Sequence, residues 1–191
     1  MYAHPGSYTV RLTVTNSAGT STTQVFTGQT VSNQGGPQAT TTHTVAVATP
    51  TVSALKVSPT TFSLAGRKVN GKCVKATAKN SGKPRCSRQI ELKVGYTLNA
   101  ADTVTLTLRR QSPGRKVKGR CVKPTEANKK HKPCTRLIAL NGQISLTGAT
   151  GANGFRFNGK IGGHTLGPGT YRLIAAPADG APRAVRFKIA G

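Results

Sequence analysis

Four cysteines, four histidines, four carboxylates and 28 lysines and arginines are the residues of this 191-residue chain that could do chemistry. The cysteines fall into two pairs, Cys73 with Cys86 and Cys121 with Cys134, with twelve residues inside each pair. Structural zinc sites usually place ligands two to four residues apart, so this spacing favours disulfides over metal. Four cysteines allow three connectivities, and pairing within each copy is favoured because each unit then closes on itself. His4, His43, His131 and His164 are scattered, and neither a G-x-S-x-G nor an H-E-x-x-H phrase occurs. The carboxylates Glu91, Asp102, Glu126 and Asp179 are too few for carboxylate-pair hydrolysis or a calcium cage. No catalytic residue, metal or cofactor is expected.

The cysteines belong to a phrase written twice. Gly66-Arg67-Lys68-Val69-Asn70-Gly71-Lys72-Cys73-Val74-Lys75 returns as Gly114-Arg115-Lys116-Val117-Lys118-Gly119-Arg120-Cys121-Val122-Lys123, and the stretch between residues 66 and 136 holds most of the basic side chains. The formal charge of +24 implies attraction to polyanions. The candidate contacts are Arg67, Lys68, Lys72 and Lys75 in the first copy, and Arg115, Lys116, Lys118, Arg120, Lys123, Lys129, Lys130 and Lys132 in the second. The plainer reading is a solvated loop surface held by disulfides. Sequence-specific nucleic-acid recognition is not expected, because Tyr8, Tyr96, Phe155, Phe157, Tyr171 and Phe187 sit at core positions rather than among the lysines.

The elements that must carry these loops read as strands. Trp is absent, aromatics are 5%, and alternation of period two recurs along the chain. Tyr8, Val10, Leu12 and Val14 share one strand face, with a turn at Asn16–Gly19. A second strand is expected at Ser21–Thr27, a linker over residues 33–42 and a third strand at Thr42–Ala48. From Val52 onward, seven to nine strands are expected: Leu55 to Val57, Phe62 to Leu64, Gln89 to Tyr96, Asp102 to Arg110, Leu137 to Leu140, Gln143 to Leu146, Phe155 to Phe157, Tyr171 to Leu173, and Val185 to Ile189. The basic loops interrupt their connections. Asn141-Gly142 reads as a two-residue hairpin turn, and the other Asn-Gly pairs, at Asn70, Asn153 and Asn158, as turns. The fold class is all-β: an antiparallel, Ig-like sandwich over 51–191, preceded by an incomplete β-sandwich fragment over 1–50.

The pattern Y-x-x-P-G-x-Y-x-V-x-L-x-V-x-N from Tyr2 to Asn16 resembles the closing strands of a PKD domain, an immunoglobulin-like sandwich of extracellular proteins. It covers about the last third of such a domain. Val52 to Ile189 is similar to an Ig-like module of secreted actinobacterial proteins, in which a basic strand, the phrase Gly119-Arg120-Cys121-Val122-Lys123 and the L-x-P-G-x-Y strand from Leu166 to Tyr171 recur. These resemblances imply an extracellular or cell-surface location, with a signal peptide upstream of Met1, since the first residues have neither a basic n-region nor an apolar h-region. No stretch is long enough to span a bilayer as a helix. The function expected is a non-enzymatic spacer or adhesion module whose partners are the other domains of a larger parent chain. The alternative is binding of anionic cell-wall polymer, acidic polysaccharide or nucleic acid through the two basic loops.

Overall fold

The computed structural model describes residues 4–14 and 39–191, and the chain divides into two compact units, Met1–Thr49 and Pro50–Gly191. In the first unit, β1 (Gly6–Val14) pairs antiparallel with β2 (Ala39–Val47), Gly6 opposite Val47 and Val14 opposite Ala39. Residues 39–41, expected as linker, extend the strand expected from Thr42. The turn after Asn16, the strand at Ser21–Thr27 and the rest of the linker lie outside the described residues. The apolar face expected to be half-buried is open at Val10 and Leu12, 41% and 58% exposed. Among the described residues these two strands are the whole sheet, and a two-stranded ribbon by itself leaves such a face open.

In the second unit the strands are β3 (Val52–Ser58), β4 (Thr61–Ser63), β5 (Ala65–Val69), β6 (Lys72–Lys75), β7 (Arg85–Ser87), β8 (Leu92–Leu98), β9 (Asp102–Val117), β10 (Arg120–Val122) and β11 (Pro133–Ala139). They continue as β12 (Ile144–Gly148), β13 (Gly151–Phe157), β14 (Lys160–Ile161), β15 (His164–Thr165), β16 (Gly169–Pro177) and β17 (Arg183–Ala190). The only helical turns among the described residues are two single 3-10 turns, Ala78–Asn80 and Glu126–Asn128. The count exceeds the seven to nine expected because each basic segment folds into strands of its own and the short β14–β15 pair is added.

Two sheets make the sandwich. The larger runs β9-β16-β17-β4, with β11 and β12 both on β9; the smaller is β13-β8-β3. The alternation that marks these strands also builds the core. Leu92, Val94, Tyr96 and Leu98 of β8 face Val104, Leu106 and Leu108 of β9 and Tyr171, Leu173, Phe187 and Ile189 of β16 and β17, all buried in one cluster. Successive side chains point to opposite faces, so Thr103, Thr105 and Thr107 are left outside.

Asn141-Gly142 is not a hairpin turn. β11 and β12 do not pair with each other; they follow one another along the same edge of β9, from Pro133 opposite Arg115 to Gly148 opposite Asp102. Of the two turn residues only Gly142 has positive φ. A side chain there would lie 2.4 Å from the Gly162 backbone, so the chain steps around the β14–β15 turn instead of reversing. Asn153-Gly154 is likewise inside β13, and the Asn153 amide bonds Ala149 and Gly151.

Candidate functional site

Each copy of the basic phrase folds into a short three-stranded arm: β6-β5-β7 in the first, and β10 and β11 on either side of the far half of β9 in the second. The middle strand turns back through two residues of positive φ, Asn70-Gly71 (48° and 74°) and Lys118-Gly119 (46° and 78°). That geometry fits a type I′ turn, which matches the twist of paired strands. Asn-Gly is its usual signature, which the first arm carries and the second, with Lys-Gly, does not.

The disulfides are Cys73–Cys86 and Cys121–Cys134, the within-copy pairing. In each arm they join the two outer strands across the middle one. Strands two apart in a flat sheet are about 9–10 Å apart, whereas the bridged Cα atoms are 6.0 Å apart in both arms. The arm is therefore curled around its middle strand. Gly66 and Gly114 lie under the bridges: a Cβ would come within 2.6 Å of Cys73 Sγ in one arm and 2.5 Å of Cys121 Sγ in the other.

The rest of the wiring is repeated too. Asn80 Oδ1 accepts the Thr77 N–H and its Nδ2 donates to the Lys75 carbonyl, while Asn128 does the same with Thr125 and Lys123, at 2.8–3.0 Å. Lys68 and Lys116 N–H groups donate to the carbonyls of Pro84 and Lys132. Arg67 Nη1 donates to the Lys83 carbonyl at 2.8 Å and Arg115 Nη1 to the His131 carbonyl at 3.3 Å. These two arginines, candidates for polyanion contact, thus also tie the returning loop to the middle strand, and both are half-buried.

The other candidates, Lys68, Lys72 and Lys75 in the first arm and Lys116, Lys118, Arg120, Lys123, Lys129, Lys130 and Lys132 in the second, are exposed. Lys129 pairs with Glu126 at 2.6 Å, a solvent-facing contact of little energetic weight. At the root of the first arm, Arg88 lies over the Phe62 ring, 4.3 Å from its centre, and donates to the Ser63 carbonyl. A cleft of about 600 Å³ opens beside it, bounded by Lys72, Lys75, Arg88 and Glu91.

The sheet brings the two arms together at one end. β9 runs antiparallel to β16, β16 antiparallel to β17, and β17 parallel to β4. β9 and β4 therefore run the same way, and each enters its arm at its C-terminal end. Three strand spacings separate them, about 14 Å. This convergence depends on strand order, which the two copies of the phrase do not reveal. Three further arginines that sequence reasoning did not group, Arg109, Arg172 and Arg186, lie on the outer face of the same sheet. Alternation marks each as outward, but only the register shows that they are neighbours.

Among the described residues no three His, Cys, Asp or Glu side chains gather as a metal site would require, and no helix is long and apolar enough to cross a membrane. Disulfides persist in oxidising compartments, and two closed ones fit such a location. The class defined by fold and surface is an all-β sandwich bearing paired disulfide-closed basic arms. No protein-family model and no curated protein matches the chain. Among solved structures it is similar to a β-glucosidase from Erythrobacter marinus, with 12% identity over 77% of this chain and a TM-score of 0.32. A β-glucosidase from Listeria innocua, solved in complex with glucose, matches at 11% identity over 74% and a TM-score of 0.24. The chain spans 16% of the length of each.

Proposed function

We propose that this chain is a non-enzymatic, extracellular β-sandwich portion of a larger secreted or surface protein, and that it adheres to anionic polymer of the cell wall or matrix through its two basic arms. The observation that supports this reading is the duplicated arm. Two copies of one disulfide-curled unit leave the same end of one sheet, each presenting exposed lysines on a backbone fixed by the same hydrogen bonds. A solvated surface needs no such repetition. Two cationic prongs held side by side attract a polyanion chiefly by releasing its counterions, which makes binding strongly salt-dependent.

Retention on a heparin column tests the reading. Neutralising Lys68, Lys72 and Lys75 should lower the eluting salt concentration, and adding Lys116Gln, Lys118Gln, Lys123Gln and Lys130Gln should lower it further. Retention unchanged after neutralising both arms would overturn the assignment of binding to the arms.

A further inference from the structure

We propose that the outer face of the larger sheet carries a separate oxyanion site centred on Arg172, which takes a phosphate or sulfate group. Arg172 on β16 lies directly opposite Arg109 on β9 and directly opposite Arg186 on β17. Three arginines thus stand in one row across three adjacent strands. All three face outward, since their strand neighbours Leu108, Tyr171, Leu173 and Phe187 are buried.

Like charges directly opposite one another on a sheet are destabilising, because facing Cβ atoms are only about 5 Å apart. Among the described residues no ion pair involves any of the three. The row also has room for a ligand. Arg109 and Arg172 line a groove of about 470 Å³ together with Ile174, Pro182, Arg183 and Ala184. Arg183, opposite buried Ala175, donates through Nε to the Val52 carbonyl of the other sheet at 3.3 Å, so its guanidinium is committed there and is not counted among the donors of the row. Thr107 and Thr170 flank the row on the same face and are half-exposed. Guanidinium forks side by side on neighbouring strands offer several N–H donors to the oxygens of a tetrahedral oxyanion, which accepts them in pairs. A lone carboxylate would leave most of these donors unused.

The site belongs to the body of the sheet, so it is separable from the arms. Thermal unfolding of the whole chain, at fixed ionic strength and with inorganic pyrophosphate or sulfate as probe, tests it. The wild-type midpoint should rise with pyrophosphate, as it must when a ligand binds only the folded state. Arg172Thr keeps a strand-favouring residue on an outward position, so it should unfold no earlier than wild type without ligand while losing the rise. A chain with its arm lysines neutralised should keep the rise. A rise with sulfate as well supports a site that accepts sulfate esters, and a rise with pyrophosphate alone supports one for phosphate. Arg172Thr keeping the full rise, or arm neutralisation abolishing it, would overturn the proposal. Failure here leaves the arms' retention on heparin untouched, because that is read on different variants.

Discussion

Gly114 and Gly66 are small because a sulfur bridge passes over them. Alanine at 114 would put its Cβ 2.5 Å from Cys121 Sγ and 2.8 Å from Arg136 Cγ, and alanine at 66 meets Cys73 and Arg88 at 2.6 and 2.8 Å. The bridge is fixed at both ends and cannot retreat without uncurling the arm. Overpacking of this kind typically costs about 1–3 kcal/mol. Gly114Ala should therefore speed reduction of Cys121–Cys134 by a mild thiol, followed by labelling of the freed cysteines. Gly82Ala is the control, since nothing lies within 4 Å of a Cβ there. Equal reduction rates in the two variants would contradict the account. Tyr171 is a second residue with a defined role. Its O–H donates to the Gly167 carbonyl at 2.8 Å and its ring stacks on Phe187 at 5.4 Å. Tyr8 makes the same bond to the His4 carbonyl in the other Pro-Gly-x-Tyr segment, at 2.7 Å. Burial pushes the Tyr171 phenol above its ordinary value, opposed by the charge of Arg110. The unfolded chain then releases this proton first as pH rises. The contribution to stability is complete below the ordinary tyrosine pKa of about 10 and is lost as pH climbs through the raised folded value. Tyr171Phe keeps the stacked ring and should cost about 1 kcal/mol at neutral pH through the lost hydrogen bond. The gap between variant and wild type should narrow above about pH 10, which denaturant midpoints measured across that range would read. Comparing the two proteins cancels the effect of lysine neutralisation in the same range.

Among the elements, strands inside the sandwich were legible and the arms were not. Leu92, Val94 and Tyr96, or Val104, Leu106 and Leu108, alternate with polar residues and are buried to 4% exposure or less. In the arms both faces carry charge, Gly66 sharing one with Lys68 and Arg67 the other with Val69, a pattern that reads as polar loop. What makes them strands is closure by sulfur. β9 accordingly runs through Val117, well past Arg110 where the apolar alternation stops. The pairing of β11 and β12 was illegible for another reason: whether two strands around Asn141-Gly142 fold back or continue along a third is decided by the backbone they meet, here Gly162. The disulfide's share can be measured. Closing a loop of this length should contribute about 3 kcal/mol, confined to the arm because no core residue lies between Cys121 and Cys134. Replacing both cysteines by alanine should therefore raise amide exchange from Arg115 to Arg136 sharply, while protection at Leu106, Leu173 and Phe187 stays near wild type. Loss of protection throughout the sandwich would show instead that the arm is part of the cooperative core.

At the scale of the whole chain, the question is which residues form a self-sufficient cooperative unit. Among the described residues every member of the buried core, from Val52 to Ile189, lies in the second unit, and so do both disulfides. The first unit's described strands offer only a two-stranded ribbon, an arrangement that is marginal in water by itself. Its exposed Val10 and Leu12 add no buried apolar area to compensate for the chain entropy that folding removes. The place to cut follows from packing. A Cβ at Gly180 would meet the Pro50 carbonyl at 1.9 Å, so Pro50 is seated against the second unit and must stay with it. A chain of residues 50–191 should therefore unfold in one cooperative transition, with a midpoint within a few degrees of the full-length protein. That margin corresponds to a difference of less than about 1 kcal/mol in a domain of this size. Differential scanning calorimetry of the two chains decides it: a broad or strongly lowered transition in the shorter one would mean that residues 1–49 contribute to the stability of the sandwich.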